Sequence, residues 1–202
     1  LRILELGIGS DCSSIIRKSY NGAIASIVTA MTDASTSSTT DSNNHRYSLD
    51  ITGMDLSEPK SSVLTNAKDQ FLRDVYSIIN DSHININNNN NEQVSYDDLL
   101  RSGWNFSFQT GDAQDLTELY DNDTFDAVIC SYLLCSVTDP QRVLHEIYRV
   151  LKPNRGVFGF VEHVAVEPQL DNGHKFLEFQ QVLLDPLQQA VANNCHLHRY
   201  TE

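Results

Sequence analysis

The feature that most constrains the fold of this chain lies between Phe125 and Val161. Phe125 to Cys130 is a short apolar run with the character of a buried strand. Pro140 to Leu151 has helical spacing, with Val143, Leu144, Ile147 and Val150 on one face and Arg142, Glu146 and Arg149 on the other. Lys152-Pro153-Asn154-Arg155-Gly156 is a stop-and-turn signal, and Gly156 to Val161 reads as another buried strand. Strand, helix and strand at this spacing argue for parallel neighbours in an α/β sheet.

The same alternation runs through the rest of the chain. Ile3 to Leu6 reads as a strand ending at Gly7-Ile8-Gly9, and Ser13 to Ala30 as the helix that follows. Tyr47 to Met54 regains strand character and stops at Asp55-Leu56-Ser57. Pro59 to Ile79 can place Val63, Ala67, Phe71, Val75 and Ile78 on one helix face. Trp104 to Gln109 alternates before Gly111-Asp112-Ala113. Phe176 to Ala192 reads as a further helix that Pro186 should kink or restart. Two polar stretches, near 33–46 and 80–95, read as flexible insertions between elements of a single domain spanning 1–202.

Composition narrows the partners. A formal net charge of −13 and scattered basic residues give no electrostatic footprint for nucleic acid. Cys12, Cys130, Cys135 and Cys195 form no CxxC pair, and no Cys/His spacing fits a zinc site, so no metal is expected. Free thiols fit a reducing compartment, cytosolic or on the cytoplasmic side of a membrane. No apolar run reaches the ~18 residues of a membrane span. The chain opens directly on Leu1-Arg2-Ile3-Leu4-Glu5-Leu6, a core-strand pattern without an initiating Met. The expectation is therefore a fragment lacking an N-terminal segment, through which alone membrane association would arise.

In a parallel sheet ligands bind beyond the carboxyl ends of the strands, so the residues just after each strand are the candidates. Gly7 and Gly9 can let the backbone approach a ligand, or form an ordinary tight turn. As a dinucleotide motif, Gly7-x-Gly9-x-x-Cys12 lacks its third glycine. Asp55 can accept ribose hydroxyls or, with Ser57, cap a helix. Asp112 can accept from an adenine amino group, while Asp115 suits a cap or a solvated charge. Ser131 and Tyr132 would rim a cleft, and Cys130 suits packing better than nucleophilic chemistry. Glu162 and His163 follow the strand Val157 to Val161, where His163 can act as a general base, position a substrate, or serve structure.

Taken in order, ELGIGS, MDLS, GDAQDL and FDAVICSYLLCSVTDPQRVLHEIYRVLKPNRGVFGFVEH resemble the class I S-adenosylmethionine-dependent methyltransferases of the type 11 domain. VICSYLLCSV, EHVA and FQQVLLDPLQQAVANNCHLHRYTE resemble more closely the methyltransferase-like seven family of thiol S-methyltransferases. The resemblance implies a Rossmann-like, doubly wound, mainly parallel sheet with helices on both faces, truncated here at both ends. It implies S-adenosylmethionine as cofactor and a small-molecule acceptor, a lipophilic thiol in the closer family. By position, Gly7 and Gly9 would pass under the methionine portion, with Glu5 supporting the turn. Asp55 would take the ribose hydroxyls, Leu56 would pack on the adenine, and Asp112 and Ala113 would meet its edge. Cys130 would lie by the methionine end with Ser131 beside it, and His163 or Tyr132 would assist the acceptor.

This chain departs from the pattern at Asp11, where a glycine is usual, at Arg155, where a glycine is common, and in the two insertions. It also lacks the family's N-terminal anchor, and it ends where further strands are expected. These departures motivate one alternative, a degenerate non-catalytic cofactor-binding module. A nicotinamide-dependent oxidoreductase of related topology is the other.

Overall fold

A computed structural model describes residues 1–12, 48–81, 99, 103–166, 174–192 and 194–197. The elements, numbered among these residues, are β1 (Arg2–Leu6), β2 (Asp50–Asp55), α1 (Ser61–Asp81), β3 (Asn105–Thr110), β4 (Ala127–Ser131), α2 (Pro140–Val150), β5 (Val157–Val161) and α3 (Lys175–Val191). The expected helix at 13–30, the insertion near 33–46 and most of that near 80–95 lie outside the described residues. Residues 80 and 81 end α1 rather than opening the second insertion.

The strands form one five-stranded sheet in the order β3-β2-β1-β4-β5. β2 pairs with β3, and β4 with β5, both parallel. This is the expected α/β architecture, a parallel sheet with crossover helices. The chain divides into two compact units.

The first unit comprises Leu1–Leu4 and Ile8–Thr110. Its core gathers Leu49, Ile51 and Met54 with Phe71, Val75 and Ile79 of α1, and with Trp104 and Phe106. The buried face of α1 differs in detail from the expected one: Ile79 rather than Ile78 is buried, Leu72 joins it, and Val63 is half-buried. Gly53, in the middle of β2, makes room for the turn after β1. A Cβ there would stand 2.3 Å from Ile8 Cδ1 and 3.3 Å from Phe106 Cε2. Ile8 also donates its N–H to Met54 O at 3.3 Å.

The second unit comprises Glu5–Gly7 and Gly111–Glu202. The Asp139-Pro140 pair starts α2, at the Pro140 boundary that the sequence suggests. Asp139 Oδ1 accepts from Arg142 N at 3.1 Å, and Pro140 takes the first turn, where no N–H is needed. Val143, Ile147 and Val150 are buried, and Leu144 is half-buried.

Two expectations need correction. β5 is not a buried strand: Phe160 is 60% exposed, and Val157 and Val161 are similarly open. β5 ends the strand order, so it lacks a second neighbour among the described strands. Its apolar sequence reports sheet character, not burial. Second, Pro186 does not restart the last helix. α3 runs from Lys175 through Pro186 to Val191, and none of its residues is buried.

Candidate functional site

In the first unit, the turn after β1 is tied to the end of β2. Gly9 donates its N–H to Asp55 Oδ2 at 3.0 Å, and Ser57 donates its N–H to Asp55 Oδ1 at 3.3 Å. Each carboxylate oxygen thus takes one N–H and keeps a lone pair for a further donor. A half-buried carboxylate with that spare capacity at a strand's carboxyl end fits a vicinal diol such as a ribose. Leu56 beside it is 70% exposed, an apolar surface standing open to solvent.

Gly9 adopts φ +76°. Asp11, which stands where a third glycine is usual, is not among the positive-φ residues; Cys12 is, at φ 50°. Asp11 therefore costs no backbone strain. The turn at Lys152–Gly156 repeats the finding: Asn154 takes φ 64° and Arg155 does not. Neither departure from the glycine pattern falls where glycine's freedom is needed.

In the second unit, Gly7 has φ +75°, and a Cβ there would meet Leu133 Cβ at 3.0 Å. Glu5 is buried, and Cys130 is fully buried in the core of β4. Burial pushes the Cys130 thiol up, and the nearby carboxylates of Glu162 and Glu5 push it further, so it is no nucleophile at neutral pH. Ser131 is half-buried at the end of β4.

After β3, Asp112 Oδ1 accepts from Gln114 N at 2.9 Å, and both its oxygens lie 3.2 Å from Gln114 Nε2. Gln114 Oε1 in turn accepts from Asp139 N at 2.8 Å, which fixes the Asp112 loop to the start of α2. Ala113 is buried. Asp115 proves to be a local cap, accepting from Thr117 N and Oγ1. The loop is held further along by Glu146, whose Oε2 accepts from Leu116 N at 2.8 Å and from Arg149 Nη2 at 2.7 Å.

Beyond β4 the chain turns at Tyr132, which has φ 55° and donates its N–H to Val161 O at 2.9 Å. Glu162 clamps this turn. Its Oε1 accepts from Leu133 N and Leu134 N, both at 2.9 Å, and its Oε2 from Cys135 N at 3.2 Å. His163 stands beside it, with its ring 4.7 Å from that of Tyr132. The two residues expected to assist an acceptor are therefore neighbours, and Tyr132 is 46% exposed.

The structure brings together three side chains that spacing along the sequence did not connect. Cys135 Sγ lies 3.2 Å from Cys195 Sγ, which lies 3.1 Å from His163 Nδ1. Neither the packing role of Gly53 nor the Glu162 clamp follows from sequence spacing. A glycine inside a strand pattern is the one readable hint among these, since it marks close backbone approach.

Residues 79–158, less than half of the chain, match the family described as Methyltransferase domain. Over that stretch, from the end of α1 into β5, the chain is similar to methyltransferase domains. Its relatives are more particular. It is 42% identical over 88 residues to thiol S-methyltransferase TMT1B of Rattus norvegicus, covering 44% of this chain and 33% of that protein. It is 42% identical over 74 residues to thiol S-methyltransferase TMT1A of Homo sapiens, covering 37% and 28%. It is 30% identical over 96 residues to the ubiquinone/menaquinone biosynthesis C-methyltransferase UbiE of Idiomarina loihiensis, covering 48% and 37%. The matches span about a third of the length of these relatives.

Proposed function

We propose that this chain is an S-adenosylmethionine-dependent methyltransferase acting on a small lipophilic thiol. The observation that carries the reading is the Gly9–Asp55 pairing, which places a carboxylate with free acceptor capacity at the end of β2. In this reading Asp55 holds the ribose hydroxyls and Leu56 covers the adenine. Gly7 and Gly9 accommodate the methionine portion, with Glu5 supporting the turn. Asp112 and Ala113 meet the adenine edge, and Cys130 and Ser131 line the methionine end by their backbone. The thiol acceptor is supported by the similarity to thiol S-methyltransferases of Rattus norvegicus and Homo sapiens over about a third of their length.

The cofactor supplies a methyl group on a sulfonium, already activated for in-line displacement. The chain's task is then to position an acceptor and manage its proton. A thiol with a pKa near ~8.5 is partly ionised at neutral pH, so modest help suffices. In this reading His163 or Tyr132, whose rings lie 4.7 Å apart, gives it.

The non-catalytic alternative loses part of its motive, because Asp11 sits at an unstrained φ. The deciding experiment incubates the chain with methyl-labelled S-adenosylmethionine and a panel of small alkyl and aryl thiols. Labelled thioether supports the reading. Cofactor binding without label in any acceptor would replace it with the non-catalytic one.

A further inference from the structure

We propose that Cys135, His163 and Cys195 form a binding site for a soft divalent transition-metal ion, of which zinc is the representative. Their ligand atoms all lie within 4.8 Å of one another. They come from three places in the second unit: the turn after β4, the end of β5 and the turn after α3. Such convergence from separate elements is how a fold builds a ligand set without a short sequence motif. Two thiolates and one imidazole are the donor types zinc prefers.

The last ligand is held in place by its neighbours. Asn194 Nδ2 donates to Ser136 O at 3.1 Å, and His196 donates its N–H to Cys135 O at 2.9 Å. Cys195 is thus pinned against Cys135 by a bond on each side. The turn is anchored to α3 as well: Asp185 accepts from Leu197 N and lies 3.5 Å from His196 Nδ1. On the opposite side, the Glu162 clamp fixes Cys135 through its N–H, and Glu162 adjoins His163 in sequence. Ligands seated on restrained backbone pay little ordering entropy on binding.

The geometry needs adjustment at all three ligands: two separations must open, and the third, within 4.8 Å, must settle at the tetrahedral spacing. Zinc–sulfur distances of about 2.3 Å and zinc–nitrogen distances of about 2.0–2.1 Å place tetrahedral ligand atoms roughly 3.5–3.8 Å apart. The two short separations, 3.2 and 3.1 Å, must open by about half an ångström, which side-chain rotation provides. Cys135 and Cys195 are both buried, which shields the thiolates from competing water. Three protein ligands leave the fourth tetrahedral position for a water or another small ligand.

The test is a titration of Co(II), as the spectroscopic substitute for zinc, into the fully reduced 202-residue chain. The expected result is one equivalent bound, with a thiolate-to-cobalt charge-transfer band that zinc abolishes on competition. Cys195→Ser should lose most of the band. His163→Ala, which leaves the buried thiols in place, should keep the band and weaken binding at least about tenfold. That variant decides the matter if Cys195→Ser fails to fold by circular dichroism. Absence of the band in a folded, reduced wild-type chain overturns the proposal, as does an affinity unchanged in His163→Ala. Formation of a Cys135–Cys195 disulfide without metal uptake after reduction would instead make the pair a redox site. The readout needs no S-adenosylmethionine, so it succeeds or fails independently of the methyltransferase reading.

Discussion

Asp55 Oδ2 accepts a hydrogen bond from the N–H of Gly9 at 3.0 Å, joining two residues 46 positions apart. One carboxylate thereby orders the turn after β1 and stands at the end of β2. Asp55→Ala should release that turn. Amide exchange at Gly9 is expected to speed up at least about tenfold, the equivalent of one charge-assisted hydrogen bond of about 1.5–3 kcal/mol. Exchange at the buried Ile51 in β2 should stay as it is. Equal acceleration at both positions would mean that Asp55 supports the whole unit rather than the turn.

Gly7 is constrained twice, by φ +75° and by Leu133 Cβ only 3.0 Å from where a Cβ would stand. Gly7→Ala should therefore destabilise the chain by about 1–3 kcal/mol in urea unfolding. Adding Leu133→Gly removes that Cβ and with it the steric part, and the double variant, compared with Leu133→Gly alone, should recover some of the loss. No recovery would leave backbone strain as the whole cost.

Glu162 takes three backbone N–H groups from Leu133, Leu134 and Cys135. Glu162→Ala leaves these donors without their acceptor and should cost about 2–3 kcal/mol. Glu162→Gln keeps one acceptor oxygen and should cost about half as much. A Glu162→Ala variant as stable as the wild type would show that the clamp is not a stabilising element.

Burial holds the Cys135 thiol up at about 12, with Cys195 and Glu162 adding to the effect, although a hydrogen bond to Ser136 opposes it. Cys130 is raised by the same cause. An unfolded cysteine ionises near ~8.5 while these stay protonated in the fold. Stability from this source is complete below ~8.5 and is lost as pH rises toward about 12. Glu146 works in the other direction. Its hydrogen bond from Arg149 lowers its pKa, so its contribution is present above ~4.3 and fades as pH falls. Urea midpoints of the metal-free chain should decline on both flanks, and Glu146→Gln should flatten the acid one.

The sheet and the residues following each strand were legible because they rest on local signals. Apolar runs, Asp-Pro before α2 and the Lys152–Gly156 turn all act within a few residues of themselves. Burial was less legible. Val157, Phe160 and Val161 have core-type side chains yet stand exposed, because exposure depends on what the rest of the chain covers. Asp11 shows the limit of motif reading: the missing glycine looked like a defect, while the positive φ belongs to Cys12 next to it. Cys135, His163 and Cys195 were hidden for another reason. Cys135 and Cys195 lie 60 residues apart, and no periodicity connects residues that only the fold brings together.

The most direct test is calorimetric titration of S-adenosylhomocysteine into the folded 202-residue chain, with Asp55→Ala alongside. We predict binding at one site per chain, weakened by about 10- to 100-fold in the variant, as expected for losing a carboxylate acceptor. No binding by the folded wild-type chain, or equal binding by both proteins, would contradict the assignment of Asp55 to the cofactor.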